Sequence, residues 1–206
     1  MKHHELRHSA AHVLASAVKE LFPKAKLAIG PAIEDGFYYD FDFRPFTPED
    51  LAKLESKCKE IINKNYKFER SKKTRKEAEK ILKDEPYKLE LLKDLKDGEI
   101  TFYSHGNFAD LCKGPHVNST GEIKGFKLVK TSGAYWKGDS KNKQLQRIYG
   151  TAFPTEKELK EHLLMLEEAD KRDHRKIGSQ MQLFSFHEEA PAFPFFHHKG
   201  RIIWNE

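Results

Sequence analysis

The chain has 206 residues, 38% of them hydrophobic and 33% charged, with a formal net charge of +5 and a pI near 9.0. Its 15 Phe and 7 Tyr argue against a disordered chain, and no apolar run of about 18 residues offers a membrane span or signal peptide. The 2 cysteines, Cys58 and Cys112, form no disulfide framework, which places the protein in a reducing, cytoplasmic compartment. The basic balance suits a polyanionic partner such as nucleic acid, or an ordinary solvated surface.

Apolar side chains recur at Leu6, Ala10, Val13, Leu14, Ala17, Val18 and Leu21, a helical stripe ending at Pro23. His4, His8 and His12 form a second stripe on the same helix, with small Ser9, Ala10 and Ala11 between them. Ala28 to Pro31 and the aromatic run Gly36 to Phe43 read as a hairpin turning at Glu34-Asp35-Gly36. Thr47-Pro48 opens a helix to about Asn65, and Thr74 with Glu77 caps another. Between and within these lies a basic set: Arg70, Lys72, Lys73, Arg75, Lys76, Lys80 and Lys83. Such a run is a solvated face or, more sharply, a phosphate contact.

A short helix around Tyr87 to Leu92 precedes a strand at Ile100 to Tyr103, and Asp110, Cys112 and His116 then fall on a turn set by Gly114-Pro115. Gly125 to Lys130, Ala134 to Trp136 and Gln144 to Tyr149 read as three strands. Thr155 with Glu158 caps a long charged helix to about Ile177, and the Phe- and His-rich stretch from Met181 ends within an apolar element, Ile202-Ile203-Trp204.

Two imidazoles one helical turn apart share a face. Together with Cys112 and His116 they make a donor set that zinc accepts. The same set also serves without metal, a neutral His taking a proton from water while Asp110 orients a neighbour. From the residues alone, a hydrolytic site stands beside plain structural packing as a reading of this cluster.

The motifs HSAAH and CKGPH, with the runs AIGPAIEDGFYYDFD, FKLVKTSGAYWKGDS and LQRIYGTAF, resemble the bacterial-type threonyl-tRNA synthetases over essentially the whole chain. The resemblance implies an α+β fold, an antiparallel sheet packed by helices with the HxxxH helix at the active cleft, followed by a long linker helix. It divides the chain into an editing domain over 1–154, a linker helix over 155–180 and the start of a class II aminoacylation domain over 181–206. The ubiquitin-like domain, the class II signature motifs and the anticodon-binding domain lie outside this sequence, so no ligase activity of its own is expected. The end within an apolar element favours a truncated synthetase over a partial gene or a free-standing editing protein.

Threonine and serine differ by one methyl group, worth only about 1–3 kcal/mol to a pocket, so a second site that removes misattached serine is the expected remedy. The resemblance implies hydrolysis of the ester between serine and the terminal adenosine of threonine tRNA. It places His8, His12, Lys88, Asp110, Cys112 and His116 as catalytic residues, and Tyr39, Cys112 and His116 against the substrate. His8 or His12 would act as base, Lys88 as oxyanion stabiliser. No metal is expected for editing; if zinc binds, its ligands are His8, His12, Cys112 and His116, as in alanyl-type editing domains. ATP and a further zinc belong to the absent catalytic domain. The implied partner is the acceptor end of threonine tRNA, with no membrane. The full enzyme would be a homodimer and this segment a monomer. The rival readings are a non-catalytic tRNA-binding module and a zinc-dependent hydrolase of another aminoacyl-tRNA.

Overall fold

A computed structural model of the protein describes residues 2–206, which fall into two compact units meeting in sequence at Leu159 and Lys160. In chain order the first unit holds α1 (Lys2–Leu21), β1 (Lys26–Leu27), β2 (Ala32–Ile33), β3 (Gly36–Asp42), α2 (Pro48–Asn63), β4 (Glu69–Lys72), α3 (Arg75–Ile81), α4 (Pro86–Lys93), β5 (Thr101–His105), β6 (Phe108–Leu111), β7 (Gly125–Tyr135) and β8 (Gln144–Phe153). α5 (Glu156–Lys171) leads into the second unit, which continues with α6 (His174–Gln180), the β9 (Phe184–His187) and β10 (Ala190–Phe196) hairpin and α7 (His198–Asn205). Among the described residues no helix is long and apolar enough to cross a membrane.

The main sheet runs β1-β3-β8-β7, with β2 on β3, and every pairing is antiparallel. In β3 the alternation sends Phe37, Tyr39 and Phe41 into the core, where they pack with Leu6, Val13, Leu14 and Val18 of α1 and Leu54, Cys58 and Ile61 of α2. α2 starts where Thr47 and Asp50 cap each other reciprocally and Pro48 follows. The same strand buries Asp40, which accepts two hydrogen bonds from Arg147 directly opposite, at 2.7 and 2.9 Å. A bidentate pair of this kind satisfies a charge that burial would otherwise penalise.

A second, three-stranded sheet runs β4-β5-β6. One face carries Phe102 and Leu111 and is covered by α3 and α4 through Ala78, Leu82, Leu89 and Leu92. Tyr103, His105 and Asp110 stand on the opposite face together with Phe108, whose ring lies 6.3 Å from that of His12 on α1.

The observed fold is the expected mixture of antiparallel sheets packed by helices, with four local differences. Ala28 to Pro31 lie between two short strands, β1 and β2, rather than forming one. Asp110 lies in strand β6 rather than in the turn after it, because Gly106-Asn107 closes a hairpin onto β5. The two runs at Gly125–Lys130 and Ala134–Trp136 are one strand through Tyr135, bulged where Val129 leaves the pairing with β8. The charged helix after Thr155 stops at Lys171, and Asp173 caps a new one by accepting from the Arg175 N–H at 2.8 Å.

Candidate functional site

α1 presents His8 and His12 one turn apart, with ring centroids separated by 5.3 Å. The loop after β6, through a cis Gly114–Pro115 bond, swings Cys112 and His116 against them. The His116 ring centroid lies 4.3 Å from those of both His8 and His12. Gly114 has φ +72°, and a Cβ there would sit 2.4 Å from the Tyr103 hydroxyl, so only glycine lets the loop close this tightly. The four residues, a hundred positions apart in sequence, form one cluster.

Ser9 fixes the protonation pattern. A hydroxyl has one hydrogen to give and two lone pairs to accept with. Ser9 Oγ donates to the Glu5 carbonyl at 2.8 Å and accepts from the Val117 N–H at 3.1 Å. With the hydroxyl hydrogen on Glu5, the remaining capacity, 2.9 Å from His116 Nδ1, is an acceptor, and His116 then carries its proton on Nδ1. His8 Nδ1 faces the Pro115 carbonyl at 3.3 Å, which accepts only, so His8 is protonated there too. Both rings therefore turn bare Nε2 lone pairs on Cys112 Sγ, each at 3.3 Å. One S–H satisfies only one of them.

Beside this cluster Lys88 of α4 donates to Asp110 Oδ2 at 2.7 Å, and the Tyr39 hydroxyl donates to the same oxygen at 2.8 Å. The other carboxylate oxygen accepts from the Leu111 N–H at 2.8 Å. Lys88 and Asp110 are buried, and the ammonium retains further N–H bonds for a ligand. His8, His12, Tyr39, Lys88, Asp110 and Cys112 line one cavity of about 280 Å³. A Cβ at Gly30 would lie 2.1 Å from the Tyr39 ring, so glycine is required where the cavity wall crosses that ring. A second cavity of about 320 Å³, more apolar, shares Leu91, Leu111 and Cys112 with the first.

Burial sets the charge state. It lowers His8, lowers His12 well below the ordinary histidine value with His116 adding to the effect, and takes His116 to about 2. Burial pushes the Cys112 thiol up to about 11, against a weaker opposing pull from the Gly114 N–H. Tyr39 is raised well above its usual value by burial and then by Asp110. At neutral pH the site holds neutral imidazoles and a thiol, which favours proton acceptance by histidine over attack by a thiolate.

The donor set also fits zinc. One ligand atom from each of His8, His12, Cys112 and His116 lies within 4.8 Å of the others. A tetrahedral zinc needs edges of about 3.3–3.7 Å, and the two Cys112–His distances of 3.3 Å already meet this. The Nδ1 partners of His8 and His116 are of the kind that orients metal-bound imidazoles.

Six of the sequence-derived candidates, His8, His12, Tyr39, Lys88, Asp110 and Cys112, thus border one cleft, and His116 packs against its histidines without lining it. Ser9, Tyr103 and Phe68 were not singled out for the site, although Phe68 stacks at 8° on His116 and Tyr103 lies 4.5 Å from it. Their signal was faint: single aromatics in short strands, and a serine that reads only as small.

Residues 100–149, which carry Asp110, Cys112 and His116, match the family described as the threonyl and alanyl tRNA synthetase second additional domain. The chain is 60% identical over 205 residues to threonine–tRNA ligases from two strains of Clostridium botulinum, alignments that take in 97% of this chain and 32% of each relative. The corresponding enzyme of Clostridium tetani is 57% identical over 204 residues, with the same shares. Over the 32% of their length that it spans, the chain belongs with the threonine–tRNA ligases.

Proposed function

We propose that the first unit is an editing hydrolase that cleaves the ester joining serine to the terminal adenosine of threonine tRNA. The observation that carries this reading is the convergence of His8, His12 and Cys112 with the Lys88–Asp110–Tyr39 triad on one cavity, Asp110 and Cys112 belonging to the segment that matches a synthetase additional domain.

The substrate's ester carbonyl sits in the cavity with its oxygen toward Lys88 Nζ. A water attacks the carbonyl carbon and gives a proton to His8 Nε2, the nitrogen left bare by the Pro115 contact. The tetrahedral oxyanion is stabilised by the Lys88 ammonium, which Asp110 holds in place at 2.7 Å. Collapse breaks the carbon–oxygen bond to the ribose, and His8 returns its proton to that oxygen. Cys112 and His116 border the side from which the adenosine enters, and Cys112 opens onto the second, more apolar cavity. Were zinc bound by His8, His12, Cys112 and His116, it would supply Lewis acidity and a more acidic water.

In this reading residues 1–154 are the editing domain, 155–180 the linker and 181–206 the opening of an aminoacylation domain. The intact protein would join threonine to its tRNA, as the name of its relatives states for them; it would use ATP to do so and would work in the cytoplasm as a dimer. Single-turnover deacylation tests the site. His8→Ala should lower the rate of seryl-tRNA hydrolysis about 10²–10⁴-fold, and an unchanged rate would remove His8 from the mechanism.

A further inference from the structure

The fold divides the basic run at 70–83. Arg75 is spent internally, donating to the Leu92 and Leu95 carbonyls and pairing with Asp97 at 3.1 Å. Lys76 and Lys80 ride on α3, which covers the Phe102 face of the small sheet. Arg70 and Lys72 belong to neither group. In β4 they alternate with Glu69 and Ser71, and the register sets Arg70 opposite Tyr103, itself opposite Asp110, with Lys72 opposite Thr101. Residues directly opposite in antiparallel strands share a face. Both cations therefore stand on the face of Tyr103 and Asp110, the face that meets His116.

Two strand spacings, about 10 Å, separate the backbone of Arg70 from that of Asp110, and Arg70 and Lys72 are about 6.6 Å apart along the strand. Both are exposed, and neither has an ion pair among the described residues. Glu69 alternates to the other face. The row of Lys72 and Thr101 continues to Cys112, whose N–H donates to the Thr101 carbonyl at 3.0 Å. Lys113, exposed, follows at the rim of the second cavity.

The geometry points to a track for an RNA backbone: Arg70, Lys72 and Lys113 hold the phosphates of the single-stranded 3′ end whose terminal ester enters the cleft. The identity of the RNA rests on the editing reading; the track itself rests on register and charge. Three cations with no ion pair among the described residues stand beside the first cavity, whose own charges, Lys88 and Asp110, are buried, and they complement a polyanion leaving it. The second cavity also carries the exposed Asp94 and Glu99. Cations on an edge strand also serve simply to discourage strand pairing, and that role predicts no effect on RNA.

The test is anisotropy with the full chain and a labelled RNA minihelix ending in a single-stranded 3′ tail, beside the same helix with a blunt end. Arg70→Ala with Lys72→Ala should weaken binding of the tailed RNA roughly tenfold and lower its log–log salt slope by about 1.4, the value for two single-strand phosphates. Binding of the blunt helix should not change, nor should hydrolysis of seryl-adenosine, which has no phosphates. Lys76→Ala with Lys80→Ala, on the helix that covers the opposite face of the sheet, should leave the tailed RNA bound as before. Unchanged affinity and slope in the Arg70/Lys72 variant overturn the track, as does an equal loss on tailed and blunt RNA or no wild-type preference for the tail. A chain that binds tailed RNA in this manner but cleaves no seryl ester keeps the track and loses the editing reading.

Discussion

Ser9 Oγ lies 2.9 Å from His116 Nδ1, and with its other capacities filled by Glu5 and Val117 it decides which nitrogen of His116 faces Cys112. A fully buried serine in the middle of a helix thus ties the helix to the opposing loop. Ser9→Ala strands the Val117 N–H and the His116 Nδ1–H, at a cost of about 1–3 kcal/mol. It should lower kcat about 10–100-fold, the usual effect of losing a partner that orients a histidine, with KM little changed. Nitrogen-15 shifts of His116 check the cause: a mixed tautomer is expected in the variant and a single one in the wild type.

The buried Lys88–Asp110 pair makes a double-mutant argument. Lys88→Met alone leaves a buried carboxylate without its cation and should destabilise the protein by about 3–5 kcal/mol. Adding Asp110→Asn removes the charge and keeps an acceptor for Tyr39, so most of that stability should return. Hydrolysis should not return, because the ammonium is gone. Urea unfolding and a deacylation assay on the same preparations separate the two effects. Recovery of both would show that Lys88 acts only structurally.

His105 is buried with no hydrogen-bond partner for either ring nitrogen among the described residues, packed between Phe68 and Phe108 at 4.9 and 5.4 Å. Burial lowers it from 6.5 to about 4. The unfolded chain therefore binds an extra proton between those values, and stability rises with pH through that window. The contribution is complete above pH 6.5 and lost as pH falls through about 4; it amounts to about 3 kcal/mol. His8, His12 and His116, all lowered, act in the same direction. His105→Phe removes two stranded polar atoms at similar shape. It should stabilise the fold at neutral pH by about 1–2 kcal/mol and flatten the acid limb by one proton, as read from unfolding midpoints between pH 4 and 7.

The Cys112 thiol, pushed up to about 11, must lose its proton to bind zinc, so any metal affinity will rise steeply with pH. The metal-free reaction proposed above leads us to expect less than one zinc per chain by elemental analysis and hydrolysis that survives a chelator. One zinc per chain, lost in Cys112→Ala together with activity, would replace the His8 base with a metal-bound water.

Much of this was legible in the sequence where a local rule and the tertiary structure agree. Thr47 and Thr74 cap their helices as their spacing requires, and Ile33 pairs with Gly36 across the expected hairpin. The quartet was legible because imidazole and thiolate are rare and their spacings match a helix turn and a short loop. The strand holding Asp110 was not, since its four residues carry no alternation strong enough to be seen. The break at Asp173 was hidden because apolar side chains at helical spacing run from Leu159 to Ala169 and helix-forming charged residues follow, and a side-chain cap overrides that pattern. Arg70 and Lys72 differ from Lys76 and Lys80 only through strand register, which no linear charge count contains.

Under the proposed function this chain removes serine, and not threonine, from threonine tRNA. The direct measurement is release of labelled amino acid from seryl-tRNA and threonyl-tRNA by the purified chain under identical conditions. Release of serine should be rapid and release of threonine slow, with the serine reaction lowered about 10²–10⁴-fold by His8→Ala. Release of neither, or of both at equal rates, would contradict the proposed function.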